Sequence, residues 1–390
     1  MAVNTMTFNQ LATVLTSIVS QATGRTGLTA TNTADFVSVG KLGLESGYDP
    51  LTTAISQVLS KTIFSIRPYR AKFGSIEKDP IRWGNHVRKI NFADTGFEND
   101  DRILLTDGVS VDQQVVKKPA AVQTNFYGAS VYFDEQTIFE DQLETAFTGP
   151  EQLGSFLSLI MTNLSNRLEL SNEGIRRGLV ANAIGSVIDE NQAGRVVHLL
   201  TEYNTATGLS LTATTVYQPD NFAPFMKWVY SRVAQICDLF TEMSTMFQTV
   251  ITGKPVLRHT PYQDQRIYLY APTRHDIDAR VLADTFHDSY LRYADVETVN
   301  YWQSIKSPDQ INVLPAYTGA DGTVVNGDAV TQGKVFGIIF DRDAMGMTLL
   351  DQRVLSTPLN TKGLYRNLHV HAKQRVIMDN TEKIAVLLLD

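Results

Sequence analysis

The chain has 390 residues, of which 43% are hydrophobic, and a formal net charge of −7. This length allows two or three domains with a sizeable core. The negative charge argues against a surface that grips nucleic acid, which needs an excess of Lys and Arg. No apolar run of 18 residues is present, so no membrane-spanning helix is expected. Cys237, the only cysteine, excludes an intramolecular disulfide, and its apolar surroundings predict a buried thiol.

The N-terminal 34 residues contain one charged side chain, Arg25, and nine threonines. One apolar stripe recurs at helical spacing, which predicts an amphipathic helix over residues 7–22. Its members are Phe8, Leu11, Leu15 and Ile18. The segment is either a frayed terminus or an arm docked on a neighbouring subunit, and its low charge favours docking. A second short helix is predicted over residues 50–61.

Residues 86–92, 109–118 and 121–133 alternate in the manner of strands, and an acidic segment at 97–106 predicts a loop tip. The first strand has no cleanly apolar face, so it has weak means of burying itself on its own core. We therefore expect an extended hairpin with partners in a neighbouring subunit. Its expected contact residues are Arg88, Lys89, Lys117 and Lys118 on the strands and Asp100 and Asp101 at the tip. A solvated surface of mixed charge is the alternative interpretation.

The next segment predicts one very long amphipathic helix of about 30 residues, which spans about 45 Å. Its apolar stripe consists of Leu153, Leu157, Ile160, Leu164, Leu168, Ile175 and Leu179. Gly174 and Gly178 lie four residues apart in this helix. Because glycine costs about 1 kcal/mol in a helix interior, the pair predicts either close approach of a β-sheet or a bend.

Beyond this helix the pattern alternates between strands and helices. The sequence predicts a strand at 195–200, a Thr-rich loop to 214, a helix at 223–250, a strand at 266–270, a short helix at 274–282, an exposed Gly-rich loop at 318–333, and closing strands at 334–340, 368–378 and 383–389.

No pattern of catalytic residues is found in the sequence. A phosphate-binding loop, a dinucleotide-binding glycine motif, a nucleophile elbow and a zinc-protease motif are all missing. His369 and His371 share one face of a strand, but a metal needs more ligands, so surface or packing roles are favoured. Asp341, Arg342 and Asp343 follow a strand directly, which predicts a turn with internal salt bridges. We therefore predict no catalytic, cofactor-binding or metal-binding residue and no enzymatic activity.

The order of these elements resembles the major capsid protein of tailed bacteriophages, of the short-tailed-phage type with an HK97-like fold. The C-terminal run from Leu364-Tyr365-Arg366 through His369-Val370-His371-Ala372 to Val386-Leu387-Leu388-Leu389 resembles the ending of such proteins. The resemblance covers nearly the whole chain and implies an α+β fold. It also implies an N-terminal arm (1–67), an extended loop (68–135), a peripheral domain with the long helix (136–219 and 341–390) and an axial domain (220–340).

The same resemblance implies a structural subunit that assembles, as pentamers and hexamers, into an icosahedral head shell around double-stranded DNA, without sequence-specific binding. It further implies a separate scaffolding protein, a portal, minor or decoration capsid proteins, no membrane partner, and assembly in the host cytoplasm into the virion. Two alternatives remain open. One is an encapsulin-like compartment shell, and the other is a soluble enzyme with a site built from scattered carboxylates.

Overall fold

The computed structural model describes residues 8–47, 50–51, 54–55, 71–78, 86–93, 106–110, 114, 116, 120–139, 141–142, 150–192, 194–272 and 295–390. Over these residues, helices and several separate sheets confirm the predicted α+β class. None of the described helices combines the length and the apolar character that crossing a membrane requires.

The N-terminal region forms two helices, α1 (Phe8–Thr23) and α2 (Thr33–Glu45). The Asn32 side chain caps α2 by accepting a hydrogen bond from the Asp35 backbone nitrogen at 2.9 Å. Gly43 lets the helices meet closely, since an added Cβ would lie 2.9 Å from Val19 Cγ2. The sequence pattern did not predict α2, because glycines occupy part of its buried face in place of apolar side chains.

Two of the three predicted hairpin strands are confirmed, whereas the described residues of the predicted strand 109–118, namely 109, 110, 114 and 116, do not form a strand. Strands β1 (His86–Phe92) and β2 (Ala121–Tyr127) pair antiparallel, with Asn91 opposite Val122. The predicted strand 121–133 is interrupted at Gly128, which has φ +87°, and the chain continues as β3 (Ser130–Phe139). The predicted contact residues Asp100, Asp101, Lys117 and Lys118 lie outside the described residues.

The predicted long helix is α3 (Pro150–Glu190), whose 41 residues span about 60 Å. Ile160, Leu164 and Leu179 of its stripe are buried. The prediction of close approach at Gly174 and Gly178 is wrong for this chain, because an added Cβ at either glycine meets nothing within 4 Å. The close approach occurs about two helical turns later, at Gly185, where an added Cβ would lie 2.4 Å from Val313 Cγ2.

The remaining elements, in chain order, are β4 (Val196–His198), α4 (Leu199–Thr207), α5 (Pro219–Thr241), β5 (Gln265–Tyr270), β6 (Asp295–Val299), β7 (Ile311–Val313), β8 (Ala316–Thr318), β9 (Val324–Asn326), β10 (Val330–Gln332), β11 (Val335–Asp341), β12 (Met345–Ser356), β13 (Tyr365–Met378) and β14 (Ile384–Leu388). Helix α4 and strand β12 were missed by the sequence reasoning. Helix α5 starts and ends earlier than predicted, and the Gly-rich loop contains short paired strands. The predicted helix at 274–282 lies outside the described residues.

A five-stranded sheet in the order β4-β14-β11-β5-β6 packs against α4 and α5 on one face and against α3 on the other. Side chains alternate along each strand. Leu269 and Leu387 belong to one buried cluster with the apolar faces of α4 and α5. Tyr268 and Val386 point to the other face and pack with the C-terminal half of α3. The predicted domain boundaries differ here, because β4 and β14, assigned to the peripheral domain, complete a sheet with β5, β6 and β11.

A second sheet, β12-β13-β3, forms the other main core with α1, α2 and the N-terminal half of α3. The prediction that the α1 stripe contacts a neighbouring subunit is wrong for its central members. Leu15 and Ile18 are fully buried and Leu11 is 7% exposed, all within this chain. Phe8 is half-buried and also packs against this core. Helices α2 and α3 supply the apolar surface that the stripe was expected to find on another copy.

Candidate assembly surfaces

The hairpin β1–β2 turns the face that carries Ile90 and Phe92 away from the chain. Lys89 and Asn91 on one face are half-buried, whereas Ile90 and Phe92 on the other are 53% and 68% exposed. Arg88, which points the same way as Ile90, is exposed as well. The opposite face rests on this chain, where Val122 lines a small cavity with Gln248, Thr249 and Thr381, among others. The predicted alternation of Ile90 and Phe92 with Lys89 and Asn91 is confirmed, and the apolar pair faces solvent.

Lys89 binds its own chain, so the prediction of a partner in a neighbouring subunit is wrong for this residue. Its Nζ lies 2.7 Å from Asp379 Oδ2 and also donates to Glu382, which accepts a second hydrogen bond from Arg258. Burial alone would lower the pKa of Lys89, but the charges of Asp379 and Glu382 raise it above its ordinary value. Burial raises the pKa of Glu382, and the two cations oppose that rise.

The turn from Asp379 to Lys383, between β13 and β14, is almost completely buried although its five residues are polar. Asn380 Nδ2 donates to Thr249 Oγ1 and to the Thr318 carbonyl, both at 2.8 Å. Each buried polar group thereby obtains a partner, as burial requires. The sequence reasoning missed this turn, although five consecutive polar residues between two apolar strands are a visible signal.

Lys383 Nζ caps the C-terminal end of α5. It donates to the carbonyls of Phe240 and Glu242 at 3.1 and 2.7 Å, and to Ser244 Oγ at 3.2 Å. A cation is favourable there because the unpaired carbonyls of a helix end carry partial negative charge. Burial lowers the pKa of Lys383 to about 8. The buried turn therefore joins the hairpin, through Lys89, to the end of α5.

The sheet β12-β13-β3 buries one face and exposes the other. Ile138, Val354 and Val370 point inward to α1 and α3. The outer face is rich in apolar side chains, namely Val131, Phe133, Phe139 and Leu355, which are 66%, 64%, 47% and 54% exposed. Val131 and Phe133 are neighbours on this face of β3, and exposed apolar side chains that cluster in this way mark an interaction surface. The sequence reasoning missed this surface because it did not predict β12 and did not extend the third hairpin strand into β3.

His369 and His371 lie on this same outer face. Their ring centroids are 6.2 Å apart, and both rings are within 6.3 Å of the Phe133 ring. His369 Nε2 lies 3.5 Å from Glu135 Oε2. Within the described part of the chain, no three His, Cys, Asp or Glu side chains cluster as a metal would require.

Other side chains that could act as nucleophiles, acids or bases are buried or paired. Cys237 is buried, and that burial raises the pKa of its thiol to about 12, which makes it a poor nucleophile. Asp341, Arg342 and Asp343 form the predicted turn, and Arg342 lies 3.2 Å from Asp264. These contacts stabilise the fold and leave the two exposed apolar faces as the main candidate functional surfaces among the described residues.

Comparison with known proteins agrees with a shell-forming fold. A family model described as "Phi29-like phage major capsid protein" matches residues 15–388. The capsid structure of Staphylococcus phage Andhra is similar over 82% of this chain and 84% of its own, with a TM-score of 0.53 and 11% identity. A chain in the structure of the head fiber and inner core protein gp22 of native bacteriophage P68 is similar over 82% of this chain and 85% of its own, with a TM-score of 0.51 and 11% identity. Among curated proteins, none has a sequence that matches this chain. The matches confirm the predicted HK97-like fold.

Proposed function

We propose, from the premise that this chain belongs to the Phi29-like phage major capsid protein family, that its copies close into an icosahedral shell around double-stranded DNA. Membership makes the chain a structural subunit of the phage head and places it in the virion. The proposal adds pentamers and hexamers as the building units, because closed shells of one subunit are built from symmetric rings. It also adds a separate scaffolding protein, a portal and minor or decoration capsid proteins as partners, with assembly in the host cytoplasm.

The observation that carries this proposal is the pair of exposed apolar faces on two separate sheets. The hairpin presents Ile90 and Phe92, and the sheet β12-β13-β3 presents Val131 and Phe133. Burying the exposed part of one such phenylalanine contributes about 1–2 kcal/mol. Several contacts of this size, repeated around a shell, bind copies firmly while each single contact stays weak enough to rearrange.

The charge of the chain supports enclosure of DNA without tight binding. Acidic side chains outnumber basic ones, 41 to 34. A wall that neutralised many phosphates would hold the DNA strongly and in a salt-dependent way. An acidic wall leaves the DNA free to be packaged and released.

The family arrangement also suggests how the chain is divided. We retain an N-terminal arm (1–67), an extended loop (68–135), a peripheral domain and an axial domain. The peripheral domain is built on β12-β13-β3, and the axial domain on the five-stranded sheet. In this division β4 and β14 join the axial domain, and residues 130–135 of β3 join the peripheral domain, because a sheet is held together by its hydrogen bonds and folds as one unit.

The first test replaces the outer face of the hairpin. The double variant Ile90→Asp/Phe92→Asp should fold normally, since both side chains are exposed, but should fail to form shells. Phe92→Leu, which keeps the face apolar, is the matched control and should assemble. Circular dichroism reports folding and electron microscopy reports assembly. Normal shells from the double variant would remove this face from the proposal.

The second test identifies what the shell contains. Particles purified from infected cells should hold DNA that is protected from nuclease until the shell is opened. Particles filled with protein and free of DNA would instead favour the encapsulin-like compartment, and a monomeric chain with hydrolytic activity would favour an enzyme.

A further inference from the structure

We propose that Met243 and Met246 form a site of reversible oxidation by hydrogen peroxide, on the short loop that follows α5. Met243 is 60% exposed and Met246 is 48% exposed. The thioether sulfur of methionine is soft and polarizable, and exposure brings it within reach of dissolved oxidants. The site is separate from the two apolar faces described above, and it does not depend on the proposed function.

The other methionines are much less accessible where the structure describes them. The chain has nine methionines, and the side chains of six are described. Three of these six, Met226, Met345 and Met347, are at most 3% exposed. Solvent does not reach their sulfur atoms, so we expect them to react slowly. Among the described side chains, the two methionines of this loop are therefore the ones that an oxidant in water meets first.

Met378 is half-buried, and its sulfur already has a partner. Asn182 Nδ2 donates a hydrogen bond to Met378 Sδ at 2.8 Å. A thioether is a weak hydrogen-bond acceptor, and a lone pair engaged in this way is less available to attack an oxidant. We therefore expect Met378 to react more slowly than the two loop methionines and faster than the three buried ones.

The reaction needs no protein group other than the thioether. A sulfur lone pair attacks one oxygen of hydrogen peroxide, so an S–O bond forms and the O–O bond breaks. The leaving hydroxide takes the proton of the transferred hydroxyl group and departs as water. Sulfur loses two electrons and the peroxide gains them. The product is methionine sulfoxide, which methionine sulfoxide reductases convert back to the thioether.

The fold should tolerate the sulfoxides, because backbone contacts hold this loop in place. The backbone nitrogen of Ser244 donates to the Arg258 carbonyl at 3.0 Å, and that of Arg258 donates to the Ser244 carbonyl at 3.1 Å. Lys383 Nζ donates to the Glu242 carbonyl at 2.7 Å. An oxygen added to either loop methionine stays in contact with water, whereas at Met345 it would enter the buried core, which is unfavourable for a polar atom.

The test treats unassembled full-length subunits with hydrogen peroxide and follows each methionine by peptide mass spectrometry, with fragmentation to separate the two loop residues. Their rate constants of oxidation should exceed those of the three buried methionines by about tenfold or more, because oxidation follows exposure. The rate constant of Met378 should fall between the two groups. Equal rate constants at the loop and at the buried positions would overturn the inference.

The double variant Met243→Leu/Met246→Leu is the matched control for stability, because it keeps the loop apolar and removes both sulfur atoms. After brief peroxide treatment, the urea midpoint should be unchanged in the wild type and in the variant. A midpoint that falls only in the wild type would overturn the inference, because oxidation of this loop would then damage the fold. Methionine sulfoxide reductases A and B with a thiol reductant should restore the mass of the wild-type peptide. A peptide that stays oxidised would likewise overturn the inference, and the proposed function would be unaffected.

Discussion

Lys89 offers the clearest test of how the hairpin is attached to the rest of the chain. Its Nζ lies 2.7 Å from Asp379 Oδ2, where Coulomb attraction at an effective dielectric constant of about 20 is about 6 kcal/mol. Desolvation offsets part of this, because the Asp379 side chain is 1% exposed and that of Lys89 is 24% exposed. Removing one partner of a buried pair leaves an uncompensated charge and costs about 3–5 kcal/mol. Since Glu382 keeps Arg258, we expect Lys89→Met to lower the free energy of unfolding by about 3 kcal/mol.

Lys78→Met is the matched control. Lys78 Nζ lies 2.8 Å from Asp343 Oδ1, almost the same distance, but the two side chains are 31% and 55% exposed. An exposed pair of this kind contributes less than about 1 kcal/mol. Urea denaturation of unassembled subunits compares the two variants. If they lose the same stability, burial does not determine the strength of the Lys89 contact.

The pH dependence of the Lys89→Met variant provides a second check. Burial already raises the pKa of Glu382, and loss of Lys89 raises it further. A folded-state pKa above the unfolded value means that stability is present at low pH and is lost as the pH rises. The deficit of Lys89→Met relative to wild type should therefore be largest at neutral pH and should shrink toward pH 5. If the difference in the free energy of unfolding between Lys89→Met and wild type stays constant from neutral pH to pH 5, the loss of stability does not come from the charged Glu382 carboxylate.

Two further predictions concern α3 and α5. Gly185→Ala should destabilise the subunit by about 1–3 kcal/mol, because its Cβ would lie 2.4 Å from Val313 Cγ2. Gly178→Ala should stabilise the subunit by about 1 kcal/mol, because its Cβ would meet nothing within 4 Å. A change of the same sign in both variants, measured by urea denaturation, would refute this prediction. Because burial lowers the pKa of Lys383 to about 8 from an ordinary value of 10.5, the folded state binds fewer protons than the unfolded state between these values, and stability should rise with pH across that window. Lys383→Met should remove this rise, measured as the urea midpoint from pH 7.5 to 9.5, and a variant that keeps it would exclude Lys383 as the titrating group.

Much of the fold follows from local periodicity. The stripes of α3 and α5 repeat every three or four residues, and Ile160, Leu164, Phe225 and Val229 are buried as those stripes predict. The first hairpin strand, 86–92, and the three C-terminal strands also lie where alternation places them. Such patterns are visible in the sequence because one face of each element must be apolar to pack, wherever its partner is found. The family resemblance, too, depends on the order of elements, which the sequence preserves.

The partner of each apolar or charged face was decided by the tertiary structure. The α1 stripe predicted an interface, yet Leu15 and Ile18 are buried within the same chain, where α1 packs on α2 and α3. Lys89 was expected to bind a neighbouring subunit, yet it binds Asp379, which follows 290 residues later. Periodicity shows that a face will be covered, but not by what, because the covering residues are distant in the chain. That is why the exposed faces from which we infer assembly became visible only when the intramolecular partners were known.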